Sequence, residues 1–174
     1  MRLVLLNSQK SLITLEEEVE MLKLYIEMEK LRFKDAFTWS IRYSDTMGLN
    51  DLMIPPLLLQ PFCENAIWHG LMHKNGPGHL SICFETSNSV LLCTIADNGI
   101  GRENAAKIQS GSPEHQKSMG LRLTAARLAL FNDDHSFHTS YQVEDLKDER
   151  GEIAGTKVIL KIRNHGQAVL AGEN

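Results

Sequence analysis

Apolar residues recur at helical spacing in "ITLEEEVEMLKLYIEMEKLRF", with Leu15, Val19, Leu22, Ile26 and Phe33 on one face. Thr14 followed three residues later by Glu17 is a capping box, which predicts where that helix starts. "FTWSIRY" (Phe37–Tyr43) instead alternates apolar and polar positions, the period of a half-buried strand. "MGLND" reads as a loop. The apolar run after it predicts a helix entered at Pro55 and Pro56, where a missing N–H costs little, and running to about His69. "KNGPG" is a turn, and "HLSICFET" and "SVLLCTIAD" predict an antiparallel strand pair around "SNS".

The pattern then breaks. "RENAAKIQSGSPEHQK" is polar, contains Ser and Gly, and offers only a short helical possibility; residues 102–117 are expected to form a mobile lid. A helix is expected in "SMGLRLTAARLALFN", with Leu121, Ala125, Leu128 and Phe131 on one face. "SFHTSYQVEDL" and "GTKVILKIR" read as two closing strands. The opening "MRLVLLNSQKS" resembles the end of an earlier helix, and "NHGQAVLAGEN" has the composition of a frayed tail. The order is strand, helix, strand pair, helix, strand pair. It predicts an α+β fold: a two-layer sandwich whose mostly antiparallel sheet is covered on one face by helices. A doubly wound nucleotide fold is excluded, because βαβ crossovers and a strand-borne GxGxxG are both absent.

Composition narrows the function classes. With 174 residues, 43% hydrophobic and 23% charged, the chain has a soluble globular composition. A formal net charge of −4 argues against a nucleic-acid partner, though not against a nucleotide held by a few placed groups. No stretch approaches the roughly 20 apolar residues of a membrane span. Cys63, Cys83 and Cys93 lie in apolar contexts without metal-type spacing, which fits buried free thiols in a reducing compartment.

One residue in the apolar run stands out. As a helix, "LLLQPFCENAIWHG" turns Leu58, Phe62 and Ile67 to one side and brings Asn65 to its edge. An amide costs free energy to bury unless something meets it. Three further features follow in order: "DNGIG" (Asp97–Gly101) at a strand end, "KSMGL" (Lys117–Leu121) opening a helix, and "GTKV" (Gly155–Val158) on the last strand. Singly each is weak, since "DNG" is commonly a hairpin turn.

Taken in this order, the features resemble the Bergerat ATP-binding fold shared by DNA gyrase, the ninety-kilodalton heat-shock chaperones, MutL and the histidine kinases. The match is closest to the LytS-like sensor histidine kinases, whose asparagine box "LQPFCENAIWHG" resembles. "TLEEEVEMLKLYIEMEKLRF", "KSMGLRLTAARLALFN" and "GTKVILKI" resemble other segments of that family, so the likeness covers residues 1–163. It implies a mixed five-stranded sheet with ATP between the helices and the loop. It also implies residues 1–34 as the remnant of a helical phosphoacceptor and dimerisation region, 35–163 as the catalytic domain and 164–174 as a tail.

The resemblance carries residue roles with it. Asp97 is the implied adenine reader, its carboxylate accepting from the exocyclic amine. Gly99 and Gly101 would let the backbone pass close to base and sugar. Asn65 would offer its carbonyl oxygen to Mg²⁺, a hard-oxygen site. Gly120, Leu121 and their helix N-terminus would face the phosphates, and Thr156 the adenine and its water. His69 and Lys117 could compensate for two departures: Trp68 stands where the family keeps a lysine, and Ser118 where it keeps a glycine. Pro61 stands four residues before Asn65, where ATP-hydrolysing relatives keep a glutamate, so slow intrinsic hydrolysis is expected. His69 and His73 have zinc-pair spacing, but "GLM" between them lacks a Glu and weakens the helix, so a metal pair is set aside.

What the likeness implies is a kinase that passes the γ-phosphoryl group to a histidine on an upstream helical hairpin, of the same or a partner subunit. None of the seven histidines here has the neighbours of that acceptor. A response regulator, a homodimer and a bacterial inner-membrane anchor with this part in the cytoplasm are implied in the same way. The alternative class is a nucleotide-binding interaction module without kinase activity.

Overall fold

A computed structural model describes residues 12–34, 36–44, 47–87, 90–109, 129 and 137–164. The capping box forms as read: Glu17 N–H donates to Thr14 Oγ1 at 3.1 Å, and Thr14 N–H donates to Glu17 Oε2 at 3.0 Å. It starts helix α1 (Leu15–Arg32) just after the two-residue strand β1 (Ile13–Thr14). Leu15, Val19, Leu22 and Ile26 are buried on the face that the spacing assigns to the core. Glu18, on the same helix, is buried too. Its carboxylate accepts from the backbone N–H groups of Leu57 (2.8 Å) and Leu59 (3.0 Å), which satisfies a charge that would otherwise be costly to bury.

That contact corrects the next helix. Leu57 is held at φ 56°, so the chain is still turning at Pro55 and Pro56, and helix α2 (Gln60–Asn65) begins later, with Pro61 in its first turn. After Asn65 the winding loosens into a π-helical stretch, Ala66–Gly70, and then tightens into a 3₁₀ turn, Leu71–His73. Such π stretches are uncommon and tend to sit at functional sites.

The sheet has five strands in the order β2-β4-β5-β7-β6, as expected for a mixed, mostly antiparallel sheet. These are β2 (Phe37–Arg42), β4 (Gly78–Ser87), β5 (Val90–Asp97), β6 (Phe137–Lys147) and β7 (Ile153–Asn164). Only β2 with β4 is parallel. A separate short pair joins β1 to β3 (Met53–Ile54). Burial alternates strictly along β5, and the inward residues Leu91, Cys93 and Ile95 join Leu80, Ile82 and Phe84 of β4 under the helices. Cys63 and Cys93 are buried free thiols, as expected, and burial pushes both well up from their ordinary range.

The polar segment after "DNGIG" differs from the expected loop. It opens as helix α3 (Gly101–Gln109), with Ala105 buried and Asn104 Nδ2 donating to the Ile100 carbonyl at 3.0 Å. The rest of the expected lid, the helix expected in "SMGLRLTAARLALFN", the opening segment and the tail lie outside the described residues. So do Lys117, Gly120 and Leu121. Among the described residues no helix is long and apolar enough to cross a membrane.

Candidate functional site

Helix α2, its π-helical continuation and α3 stand over the inner face of β5, β7 and β6, and between them lies a pocket of about 240 Å³. Phe62, Ile95, Val143 and Val158 make its walls largely apolar, and Asn65, His69, Asp97 and Thr156 supply polar groups. A few placed polar groups in an apolar cleft is the ordinary design of a small-molecule site. The sequence thus places five of its candidate residues, Asn65, His69, Asp97, Gly101 and Thr156, around one cavity.

Asp97 ends β5 and is only 4% exposed. Its Oδ1 accepts from Gly99 N–H at 2.8 Å, and its carboxylate also accepts from the backbone N–H of Thr156, its register partner on β7. Burial raises its pKa from 3.8 to about 6, although those hydrogen bonds and Lys74 pull the other way. A carboxylate kept in an apolar cleft against its own solvation is a functional-site signature. The "DNG" is therefore no hairpin turn. Asn98 accepts from His79 N–H at 2.7 Å through Oδ1, and Lys74 Nζ donates to the Asn98 carbonyl at 2.6 Å, so the loop is tied down where it leaves the strand.

Two glycines serve this geometry differently from expectation. Gly99 lies against the backbone of Gly70, and a Cβ on Gly70 would stand 2.6 Å from Asp97 Oδ1. Close approach of two protein segments, and not only of a ligand, requires both. Gly101 starts α3 at φ +74°, a conformation that side chains resist. Gly70 was legible as the end of "NAIWHG", yet nothing local marks it as the residue that gives Asp97 its space.

Asn65 lines the pocket, and its buried Nδ2 has no hydrogen-bond partner among the described residues. An unmet buried amide costs roughly 1–3 kcal/mol, so this end of the pocket is built to meet something. Glu64 beside it is exposed and does not line the pocket. Trp68 is not among the lining residues either. It packs edge-on against Phe33, centroids 4.9 Å apart, with the Arg32 guanidinium 4.7 Å over its ring. Among the described residues no group of three or more His, Cys, Asp and Glu is placed to hold a metal ion.

A pair that sequence reasoning missed closes the other side. Arg102, in the first turn of α3, forks onto Asp145 of β6 through Nε (3.1 Å) and Nη2 (2.7 Å). Asp145 pairs in register with Thr156, which pairs with Asp97, so the latch stands two strands from the buried carboxylate. Surface ion pairs contribute about 0.2–1 kcal/mol, with bidentate geometry toward the upper end. Asp145→Ala is therefore expected to speed amide hydrogen exchange across Gly101–Gln109 by up to about fivefold, with β4 and β5 unchanged. Equal exchange in both proteins would remove the latch.

Comparisons with known proteins bear on the family and the fold. The family model described as Histidine kinase matches residues 1–37. The sensor protein LytS of Oceanobacillus iheyensis is 34% identical over 145 residues, covering 79% of this chain and 24% of that protein. The chain belongs to the LytS-like sensor histidine kinase family. The catalytic domain of the histidine kinase ThkA superposes with a TM-score of 0.57 at 17% identity, covering 88% of this chain and 95% of that one. ThkA in complex with the response regulator TrrA gives 0.55 at 15% identity, covering 94% of this chain and 46% of that one. At such identities these neighbours establish the fold alone, a histidine kinase catalytic-domain fold. This member of the LytS-like family spans about a quarter of its LytS relative's length.

Proposed function

We propose that the pocket binds ATP with Mg²⁺, and that the chain is the catalytic part of a sensor kinase that passes the γ-phosphoryl group to a histidine on an upstream helical hairpin. The observation that carries this reading is Asp97: a buried, raised-pKa carboxylate at the floor of an apolar cleft, given its space by Gly70. A purine offers the flat apolar faces that such walls accept, and its exocyclic amine offers the donor that Asp97 needs. Thr156 stands next to that carboxylate in register. Gly101 belongs to the same wall.

The polar end suits the metal. Asn65 lines the cleft with an unmet buried Nδ2, and the two ends of an amide exchange by a half-turn, so its carbonyl oxygen could be offered to a hard cation. When bound, Mg²⁺ would neutralise phosphate charge there. His69, Lys117, Gly120 and Leu121 complete the phosphate side in this reading. Transfer would run to a hairpin of the same or a partner subunit in a homodimer, and then to a response regulator. The full protein would be a bacterial inner-membrane sensor with this part in the cytoplasm. Residues 1–34 would join the hairpin to a catalytic domain over 35–163, with 164–174 as a tail.

The metal assignment has its own test. Asn65→Ala is expected to weaken Mg·ATP by about tenfold, the worth of one hydrogen bond or ligand to a charged group, and to change metal-free ATP much less. Calorimetry in Mg²⁺ and in chelator separates the two. Equal losses would leave Asn65 a packing residue.

A further inference from the structure

A guanidinium on helix α1, which does not line the pocket, rests on the stretch that runs from Asn65 to His69. Helix α1 lays Tyr25, Glu29 and Arg32 along the segment that carries Glu64, Asn65 and Trp68. Burial, then Glu64 and Glu29, raise the Tyr25 phenol, and the Trp68 indole donates to its oxygen. Arg32 lies over the same indole at 4.7 Å. Trp68 follows Asn65 by three residues and precedes His69 by one, and both of these line the pocket. Phosphates of a nucleotide that left the cleft past Asn65 would run along the stretch on which Arg32 rests.

Among the described residues the arginine's one ion pair, with Glu29, is a long one. A guanidinium held on a ring face is attracted by the ring's quadrupole and keeps its in-plane N–H groups free. Its nearest carboxylate among the described residues, Glu29 Oε1, is 3.8 Å away, beyond hydrogen-bond range, and 61% of the Arg32 side chain is exposed. Nearby cations are engaged elsewhere: Arg102 with Asp145 and Lys74 with the Asn98 carbonyl. A planar fork of donors is the side-chain chemistry best matched to phosphate oxygens.

We propose that Arg32 is a phosphate-binding residue of the nucleotide site, held ready by its stacking on Trp68. Helix α1 thereby completes the grip on the polyphosphate from outside the pocket. The inference rests on the ATP reading above and deepens it.

Calorimetry on the 174-residue chain with two probes, Mg·ATP and adenosine, tests it. Arg32→Gln is expected to weaken Mg·ATP by about tenfold or more, with adenosine affinity within about twofold of the unmutated chain. Arg32→Lys, which keeps the charge but not the fork, is expected to fall between them. Unchanged binding of Mg·ATP by Arg32→Gln would overturn the assignment. So would a parallel loss of adenosine, which marks a structural role, or an Arg32→Lys no better than Arg32→Gln. If the unmutated chain binds neither probe, the ATP reading and the Arg32 assignment fall together. If it binds both and Arg32→Gln is normal, only Arg32 falls.

Discussion

Asp97→Asn is expected to lower Mg·ATP affinity by about ten- to a hundredfold, the worth of a charged hydrogen bond of roughly 1.5–3 kcal/mol. The same substitution is expected to relieve the folded protein of a cost. Asp97 has its pKa raised from 3.8 to about 6 by burial. The folded state therefore holds the proton more tightly than the unfolded chain. Its contribution to stability is fully present below about pH 4 and is lost as the pH rises through about 6. A shift of about two units corresponds to about 3 kcal/mol over that window. The stability of Asp97→Asn relative to the unmutated chain should therefore climb between pH 4 and pH 7. Urea melts at the two pH values measure the climb, and calorimetry measures the binding. A variant with normal affinity would remove the adenine-reader role. Stability curves that run parallel across the window would mean that the carboxylate is not held against its solvation.

The two outcomes together separate function from packing. A structural residue loses stability when changed and drags binding down with it. A residue kept at a cost gives the opposite pairing, stability relatively better at neutral pH and ligand lost. Gly70 supports the second view. The fold leaves out a side chain beside Asp97, where an alanine Cβ would stand 2.6 Å from Oδ1, and so keeps the carboxylate in place at the pocket.

The site residues that the chain announces are those whose role is local. Asp97 closes a strand with strict alternation, Asn65 interrupts an apolar helix, and Thr14 with Glu17 caps α1 within one turn. Periodicity and short motifs register such features because cause and effect lie within a few residues. The features that escaped are made by partners far apart along the chain. Glu18 ties down Leu57 and Leu59, 39 and 41 residues away, and so delays α2 past the prolines that seemed to start it. Arg102 and Asp145 are 43 residues apart, and their pairing ties the first turn of α3 to β6. Trp68 reads as a missing lysine until its ring is seen packed against Phe33 and under Arg32. Long-range contacts leave no period in the sequence, so they become visible only once the strands are in order.

Incubated with labelled ATP and Mg²⁺, the 174-residue chain is expected to place no stable label on its own histidines. In-line transfer needs a nucleophile held about 3–3.5 Å from the γ-phosphorus, on the far side from the leaving oxygen. The described histidines are poorly placed for that. His69 forms part of the pocket wall, where the same nucleotide's phosphates would run alongside it. His73 ends the 3₁₀ turn. The His79 ring meets Thr38 Oγ1 at 2.8 Å and Ser40 Oγ at 3.2 Å, at the start of β4. His138 is exposed near the start of the edge strand β6. His115, His135 and His165 lie outside the described residues, and none has an acceptor's sequence neighbours. A longer chain that carries the upstream helical hairpin should label on a histidine of that hairpin, and Asp97→Asn in the longer chain should reduce the labelling at subsaturating ATP. Acid-labile, base-stable label on the short chain, formed as fast as on the long one, would place the acceptor within these residues and overturn the proposed division between the hairpin and the catalytic domain.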